Sequence, residues 1–243
     1  MDAVILAGGA GSRLRPVTLE MPKALIPIRG RPLTDHVVDV LRRAGARSLH
    51  LSLGYFHEPV ARRYCPQFEG LPCDWVLDNH NGTAAWIPLF HRKGVAFTDP
   101  FIVVNGDNLC NVDFRKALET HRAAGAEITI VLTRVADPSA YGVADIEAGG
   151  TRIRRFVEKP RPGEAPSDLI NTGYYIFSAA VLPDLLTLFP QGDLGSSLVM
   201  LEHDVFPRVA ARGRLHGHVS NEDWFDTGTF DRWSTVIDRW KLA

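Results

Sequence analysis

An apolar run, Val4-Ile5-Leu6-Ala7, passes without a break into Gly8-Gly9-Ala10-Gly11-Ser12-Arg13, and this junction limits the possible folds more than any other stretch of the chain. Four apolar residues bounded by glycine read as a short buried strand. The glycines free the backbone for a tight turn, and successive N–H groups in such a turn form an anion-binding nest. Arg13 and Lys23 bring fixed positive charge to the same anion, so strand, turn and cations together make a cradle for a triphosphate. The lysine stands too far from the glycines for G-x-x-x-x-G-K-[ST], and the glycine spacing is not G-x-G-x-x-G. Taken alone, a glycine-rich turn is more often only a turn.

The rest of the chain reads as an alternation of strands and helices, which predicts an α/β fold with a mostly parallel central sheet. A short apolar piece at 24–28 precedes a helix that begins near Pro32 and Leu33. That helix turns Leu33, Val37, Val40 and Leu41 inward and stops at Gly45. Strands are expected at 48–53, with His50 half-exposed, and at 73–77, with a short helix at 59–64 between them. Phe101-Ile-Val-Val104 is continuously apolar, as a central parallel strand should be. It ends in Asn105-Gly106-Asp107-Asn108, where open α/β sheets bind ligands. Asp107 there is either a hard oxygen ligand for Mg²⁺ or a turn aspartate.

A helix capped by Asp113 should run to Ala124 and end at Gly125, followed by a strand at 127–134. The pattern then changes to a hairpin, 141–146 with 152–157, joined by a glycine turn. A strand at 171–177 follows, with one of Tyr174 and Tyr175 in the core. Helices are expected at 178–186, capped by Ser178, and at 197–212, where Pro207 interrupts. Residues 188–194 read as turn. The strand at 214–219 carries His216 and His218 on one face, too few ligands for a zinc site. A last helix spans 230–240.

Composition closes off several classes of function. The 243 residues carry 27 Lys and Arg against 28 Asp and Glu, for a net charge of −1. Bulk electrostatics therefore offers nothing to nucleic acid or to a membrane surface, and any phosphate affinity is local. No apolar run approaches the ~20 residues that span a bilayer. Three cysteines without C-x-x-C spacing make neither a disulfide framework nor a zinc motif. With no basic, cleavable leader, the expectation is a reduced, cytoplasmic protein.

The full string from Gly8 to Pro22-Lys23 resembles the signature of the sugar-phosphate nucleotidyltransferases, the nucleoside-diphosphate-sugar pyrophosphorylases, with Ser12 where threonine is usual. Five later strings follow in that family's order: Gly82-Thr83-Ala84, Gly106-Asp107-Asn108, Glu158-Lys159-Pro160, Asn171-Thr172-Gly173, and Trp224-Phe-Asp226-Thr-Gly228. The resemblance implies a Rossmann-like core at about 1–135. A sugar-binding antiparallel part at about 136–228 and a C-terminal helix at 229–243 complete a single domain. No β-helix extension is expected.

It also implies roles. Arg13, Lys23 and Asp107 would be catalytic. Leu6, Ala7, Gly8, Gly9, Gly11, Ser12, Asn79, Gly82, Thr83, Asn105 and Gly106 would hold the nucleotide. Tyr141, Gly142, Glu158, Lys159, Asn171, Thr172 and Gly173 would hold the sugar phosphate, with Gly173 leaving room for the ring. Asp107 and Asp226 would hold Mg²⁺. The chain departs from the family around Asp78-Asn79-His80-Asn81 and at Trp86, which leaves the base open and His80 as either a base contact or a plain loop histidine.

The reaction implied joins a nucleoside triphosphate and a sugar 1-phosphate into a nucleotide sugar and releases pyrophosphate. Size, the Gly8-Gly9 start and the 171–173 segment lean toward GTP and a mannose- or heptose-type 1-phosphate. Thymidylyl, uridylyl or cytidylyl transfer and a non-catalytic nucleotide-sugar-binding module are the alternatives. Neither nucleic acid nor membrane is an expected partner, and a homo-oligomer is possible.

Overall fold

The computed structural model describes residues 1–78, 82–190 and 198–242. Its centre is a twisted sheet with four adjacent parallel strands, in the order Leu71–Leu77, Ser48–Leu53, Asp2–Ala7 and Phe101–Asn105. On the far side of Phe101–Asn105 the direction reverses: Leu169–Phe177 runs antiparallel to it, and also pairs antiparallel with Ile128–Arg134. The hairpin of Gly142–Ile146 and Ile153–Glu158 joins the same sheet through the rung Val143↔Ile170. Leu215–Val219 adds a parallel strand beside Ile128–Arg134.

Both faces of this sheet are covered, and the two-residue period of a strand divides the core accordingly. Ala3, Ile5, Ile102, Val104, Tyr174 and Ile176 face helices Leu33–Arg43 and Phe114–Ala124 and the end of the C-terminal helix. Val4, Phe101, Val103, Tyr175 and Phe177 face Trp86–Arg92, Leu182–Leu186 and Phe206–Ala211. The helix ends follow their sequence signals. Asp113 accepts from the Arg115 and Lys116 N–H groups, Gly125 closes that helix in the left-handed region, and Thr229 accepts from the Arg232 N–H.

Four local expectations are corrected. Tyr174 and Tyr175 are both fully buried, because their strand is covered on both faces. His50 is buried rather than half-exposed: its ring lies between Phe90 and Phe97, and Nδ1 is 2.6 Å from Asp74 Oδ1. Ser178 does not cap a helix. Its hydroxyl donates to the Ala126 carbonyl, and a 3-10 turn, Ala179–Val181, precedes Leu182–Leu186. The helix expected over 197–212 is shorter among the described residues: a π turn, Leu201–Val205, leads into Phe206–Ala211 with Pro207 in its first turn, where no N–H is needed. Leu198 is 67% exposed. Residues 191–194 and Ser197 lie outside the described residues.

His216 and His218 face different partners, Nδ1 of the first lying 3.0 Å from Thr151 Oγ1 and Nδ1 of the second 3.0 Å from Thr120 Oγ1. No helix among the described residues is long and apolar enough to cross a membrane.

Candidate active site

The carboxyl ends of the parallel strands open onto two adjoining cavities. The first, of about 320 Å³, lies over the Gly8-Gly9 turn. Its walls include Leu6, Ala7, Gly8, Gly9, Lys23, Gly82, Thr83, Asn105, Gly106 and Asp107 from the expected set. Ser52, Asp78 and Met200 line it as well. Gly11 and Ser12 are not in its lining. Gly11 takes φ +62°, and a Cβ there would sit 2.9 Å from Thr18 Cγ2. Its carbonyl accepts from the Thr18 hydroxyl at 2.8 Å. Gly11 therefore shapes the turn, and Ser12 is exposed. Asn79 and His80 lie outside the described residues.

The second cavity, of about 440 Å³, shares Asn105 and Asp107 with the first. It adds Arg13, Tyr141, Gly142, Glu158, Lys159, Asn171 and Asp226 from the expected set. Gly142 has no room for a side chain: a Cβ would meet Phe156 Cζ at 2.3 Å and Glu158 Oε2 at 2.7 Å. Lys159 stands at φ +46°, its N–H donating to the Tyr141 carbonyl and its Nζ 3.1 Å from Glu158 Oε1. Asn171 is braced locally, Nδ2 donating to the Tyr175 hydroxyl and Oδ1 accepting from the Gly173 N–H.

Thr172 and Gly173 do not line this cavity; they position residues that do. The Thr172 hydroxyl donates to the Val131 carbonyl. The Thr172 carbonyl accepts from Asn108 Nδ2 at 3.0 Å and from Trp224 Nε1 at 2.9 Å. At Gly173, φ +81°, a Cβ would meet Asn108 Nδ2 at 2.5 Å and Asn105 Nδ2 at 2.9 Å. The space that glycine provides is filled by these two amides.

Asp107 and Asp226, separated by 119 positions, come together because Trp224–Asp226 pairs antiparallel with Asn108–Cys110, setting Asp226 opposite Asn108. The Thr227 hydroxyl then donates to the Asp107 carbonyl at 2.7 Å. Each carboxylate already holds a cation. Lys23 Nζ is 2.7 Å from Asp107 Oδ2, and Arg232 Nη1 bonds Asp226 Oδ2. Burial would raise the Asp107 pKa, but the charge and hydrogen bond of Lys23, with Arg13 beyond, outweigh it and hold the carboxyl below its ordinary range. Asn105 Oδ1, at the junction of the two cavities, is a buried acceptor without a donor among the described residues. A ligand donor would satisfy it.

Two charged residues of the second cavity were missed in the sequence. Arg232, on the final helix, lies six positions beyond Asp226, pairs with it, and stacks its guanidinium 5.3 Å from the Tyr141 ring centroid. Glu202 lines the second cavity, accepts from Thr83 Oγ1 at 2.7 Å, and so links the nucleotide-side turn to the sugar side. Burial, with the charge of Glu158 adding, pushes its carboxyl above the usual value. An acid inside an apolar-periodic stretch was its only signal in the chain.

A family model for nucleotidyl transferase matches residues 2–239. The chain belongs to the nucleotidyl transferase family. The catalytic beta subunit of mannose-1-phosphate guanylyltransferase from Xenopus tropicalis is 36% identical over 94% of this chain, and that from Danio rerio is 37% identical over the same share. The chain spans 61% of the length of these relatives.

Among solved structures, a Bacillus anthracis protein described as a glucose-1-phosphate thymidylyltransferase, in complex with sucrose, superposes with a TM-score of 0.83 at 27% identity. That alignment covers 98% of this chain and 94% of the other. HddC from Yersinia pseudotuberculosis complexed with GMP-PN gives a TM-score of 0.77 at 27% identity, covering 99% of each chain. The Rossmann-like α/β fold of these solved structures, with a mostly parallel central sheet flanked by helices, is the fold of this chain.

Proposed function

We propose that this chain transfers a nucleotidyl group from a nucleoside triphosphate to a sugar 1-phosphate and releases pyrophosphate, with GTP and a mannose- or heptose-type 1-phosphate as substrates. One observation carries the reading. Two cavities, one over the glycine turn and one under the hairpin, meet at Asp107 and Asn105, and cationic side chains stand around that meeting point. A reaction between two anions needs this layout, because their mutual repulsion is the first barrier. The names of the relatives support the choice of guanylyl donor and mannose-type acceptor.

In this reading the triphosphate lies along the Gly8-Gly9 turn, with Arg13 and Lys23 against its charge. Lys159 holds the phosphate of the sugar, while Glu158 and Asn171 bond its hydroxyls. An oxygen of the sugar phosphate attacks the α-phosphorus, the bond to the β-phosphate oxygen breaks, and pyrophosphate leaves with that electron pair. The attacking oxygen is ionised near neutral pH, so positioning and charge suffice without a strong general base.

The donor set fits Mg²⁺. Among the described residues no three His, Cys, Asp or Glu side chains gather as a metal cage. Two carboxylates facing a phosphate site are what Mg²⁺ takes, completing its shell with substrate oxygens and water. Asp107 and Asp226 would hold it. When bound it neutralises phosphate charge and polarises the reacting phosphoryl group.

We also assign the nucleotide-binding core to about 1–135, the sugar-binding part to about 136–228 and the closing helix to 229–243. The three free cysteines support a reducing, cytoplasmic setting.

A pyrophosphate-release panel tests the reading: GTP, dTTP, UTP and CTP, each with mannose, heptose and glucose 1-phosphates and Mg²⁺. The expected result is release with GTP and a mannose- or heptose-type partner, abolished by Asp226→Asn. Preference for dTTP with glucose 1-phosphate would move the substrate assignment toward the Bacillus anthracis neighbour. Release from no pair, while nucleotide sugars bind, would overturn catalysis in favour of a binding module.

A further inference from the structure

Away from the active site, a small hairpin brings two of the three cysteines together. The rungs Phe68↔Leu71 and Gln67↔Pro72 pair Gln67–Phe68 with the start of Leu71–Leu77. The Cys73 N–H continues that ladder by donating to the Pro66 carbonyl at 2.8 Å. This register leaves Cys65 beside Cys73, with their Sγ atoms 3.1 Å apart. A disulfide needs about 2.05 Å between sulfurs, so a closing movement of about 1 Å separates the thiol pair from a bond.

The two thiols differ in access and chemistry. Cys65 is partly exposed and Cys73 is buried. An open groove of about 470 Å³ reaches both and carries Arg62 and Lys93 beside Asp74. The hydrogen bond from Cys73 favours the Cys65 thiolate and holds that thiol below its usual pKa; burial and the charge of Asp74 oppose this, and Lys93 assists. The same bond and burial raise Cys73. Cys65 is thus the attacking sulfur and Cys73 the resolving one. Cys110 is fully buried in the core, its thiol pushed up to about 12 by burial, and serves as an internal control.

We propose that Cys65 and Cys73 form an oxidation site, at which a low-molecular-weight disulfide such as oxidised glutathione is reduced as the two thiols join. The Cys65 thiolate attacks one sulfur of the small disulfide, forming a mixed disulfide and expelling one thiolate. Cys73 gives up its proton to solvent, its thiolate attacks the Cys65 sulfur, and the second small thiolate leaves. Two protein thiols are oxidised and one disulfide is reduced to two thiols, so electrons balance. The bond ties down the outermost hairpin of the main sheet, where strand edges otherwise fray. It lies at the start of a strand whose far end, at Leu77 and Asp78, leads to the nucleotide cavity.

The test uses the full chain in excess oxidised glutathione, followed by alkylation and peptide mapping. The expected product is a Cys65–Cys73 link within one chain, lighter by two hydrogens, with Cys110 alkylated only after unfolding and with full reversal by dithiothreitol. Amide exchange in the hairpin should slow severalfold on oxidation. Cys73→Ser should stop at a Cys65–glutathione mixed disulfide, and Cys65→Ser should take up no glutathione. If a serine variant fails to fold, mapping of the native chain decides alone. Three free thiols after treatment, a mixed disulfide persisting in the native chain, a link to Cys110 or a link between chains would each overturn the proposal.

Discussion

Replacing Lys23 by methionine keeps the length of its stem and removes its charge, and the structure separates the two consequences. Its Nζ is 2.7 Å from Asp107 Oδ2. Two unit charges at that distance attract by roughly 6 kcal/mol at an effective dielectric of about 20, and by about 1.5 kcal/mol in bulk water. The Asp107 side chain is 43% exposed although that of Lys23 is only 10% exposed. Solvent therefore screens the pair, and its worth to folding falls to about 1 kcal/mol. For a chain of this size that shifts Tm by only about 2–4 °C. In the proposed reaction the same charge faces a triphosphate, and loss of one charge-stabilising donor there costs about 10²–10³ in kcat.

Lys23→Met should therefore melt within a few degrees of the native chain and release pyrophosphate about 10²–10³ times more slowly at saturating substrate. Calorimetry and a coupled pyrophosphate assay read the two numbers. A fall in Tm of more than about 10 °C would show that the lysine chiefly holds the fold. Turnover within about threefold of native would show that its charge does not act on the reacting phosphates. Either outcome refutes the reasoning.

Gly82→Ala would place a Cβ 2.2 Å from the Val199 carbonyl oxygen at φ +97°. Backbone cannot swing aside, so strain and overpacking together should cost about 2–5 kcal/mol. The loss should appear as a lower melting temperature and a raised KM for nucleotide, whereas Gly150→Ala, with contacts no nearer than 3.7 Å, should change neither. Asp184, bonded by Arg208 and Arg212, is held at about 2. Its folded pKa is depressed, so its stabilisation is full above the ordinary aspartate value near 3.8 and lost as pH falls toward about 2. Melting curves of Asp184→Asn should therefore lie closest to the native ones at the acid end and diverge above it; parallel curves would contradict the assignment.

Local chemistry written along the chain already announces much of this protein. Val4–Ala7 must become a buried strand and Gly8–Gly11 a turn. The Asp113 cap with its Gly125 stop, and the alternation of 141–146 with 152–157, need only short-range rules of periodicity and capping. Tertiary contact decided the rest, because it depends on which face a neighbour covers. No sequence rule buries both Tyr174 and Tyr175 or His50; helices on both sides of the sheet do. Thr172 and Gly173 were expected against the sugar phosphate; the Thr172 hydroxyl bonds the Val131 carbonyl, and the amides of Asn105 and Asn108 fill the space beside Gly173. Arg232 and Glu202 carry no motif of their own. They enter the site because the rung between Asp226 and Asn108 and the Thr83–Glu202 bond bring distant segments together. Charge and hydrogen-bond geometry act across a few ångströms of space, whatever the separation along the chain.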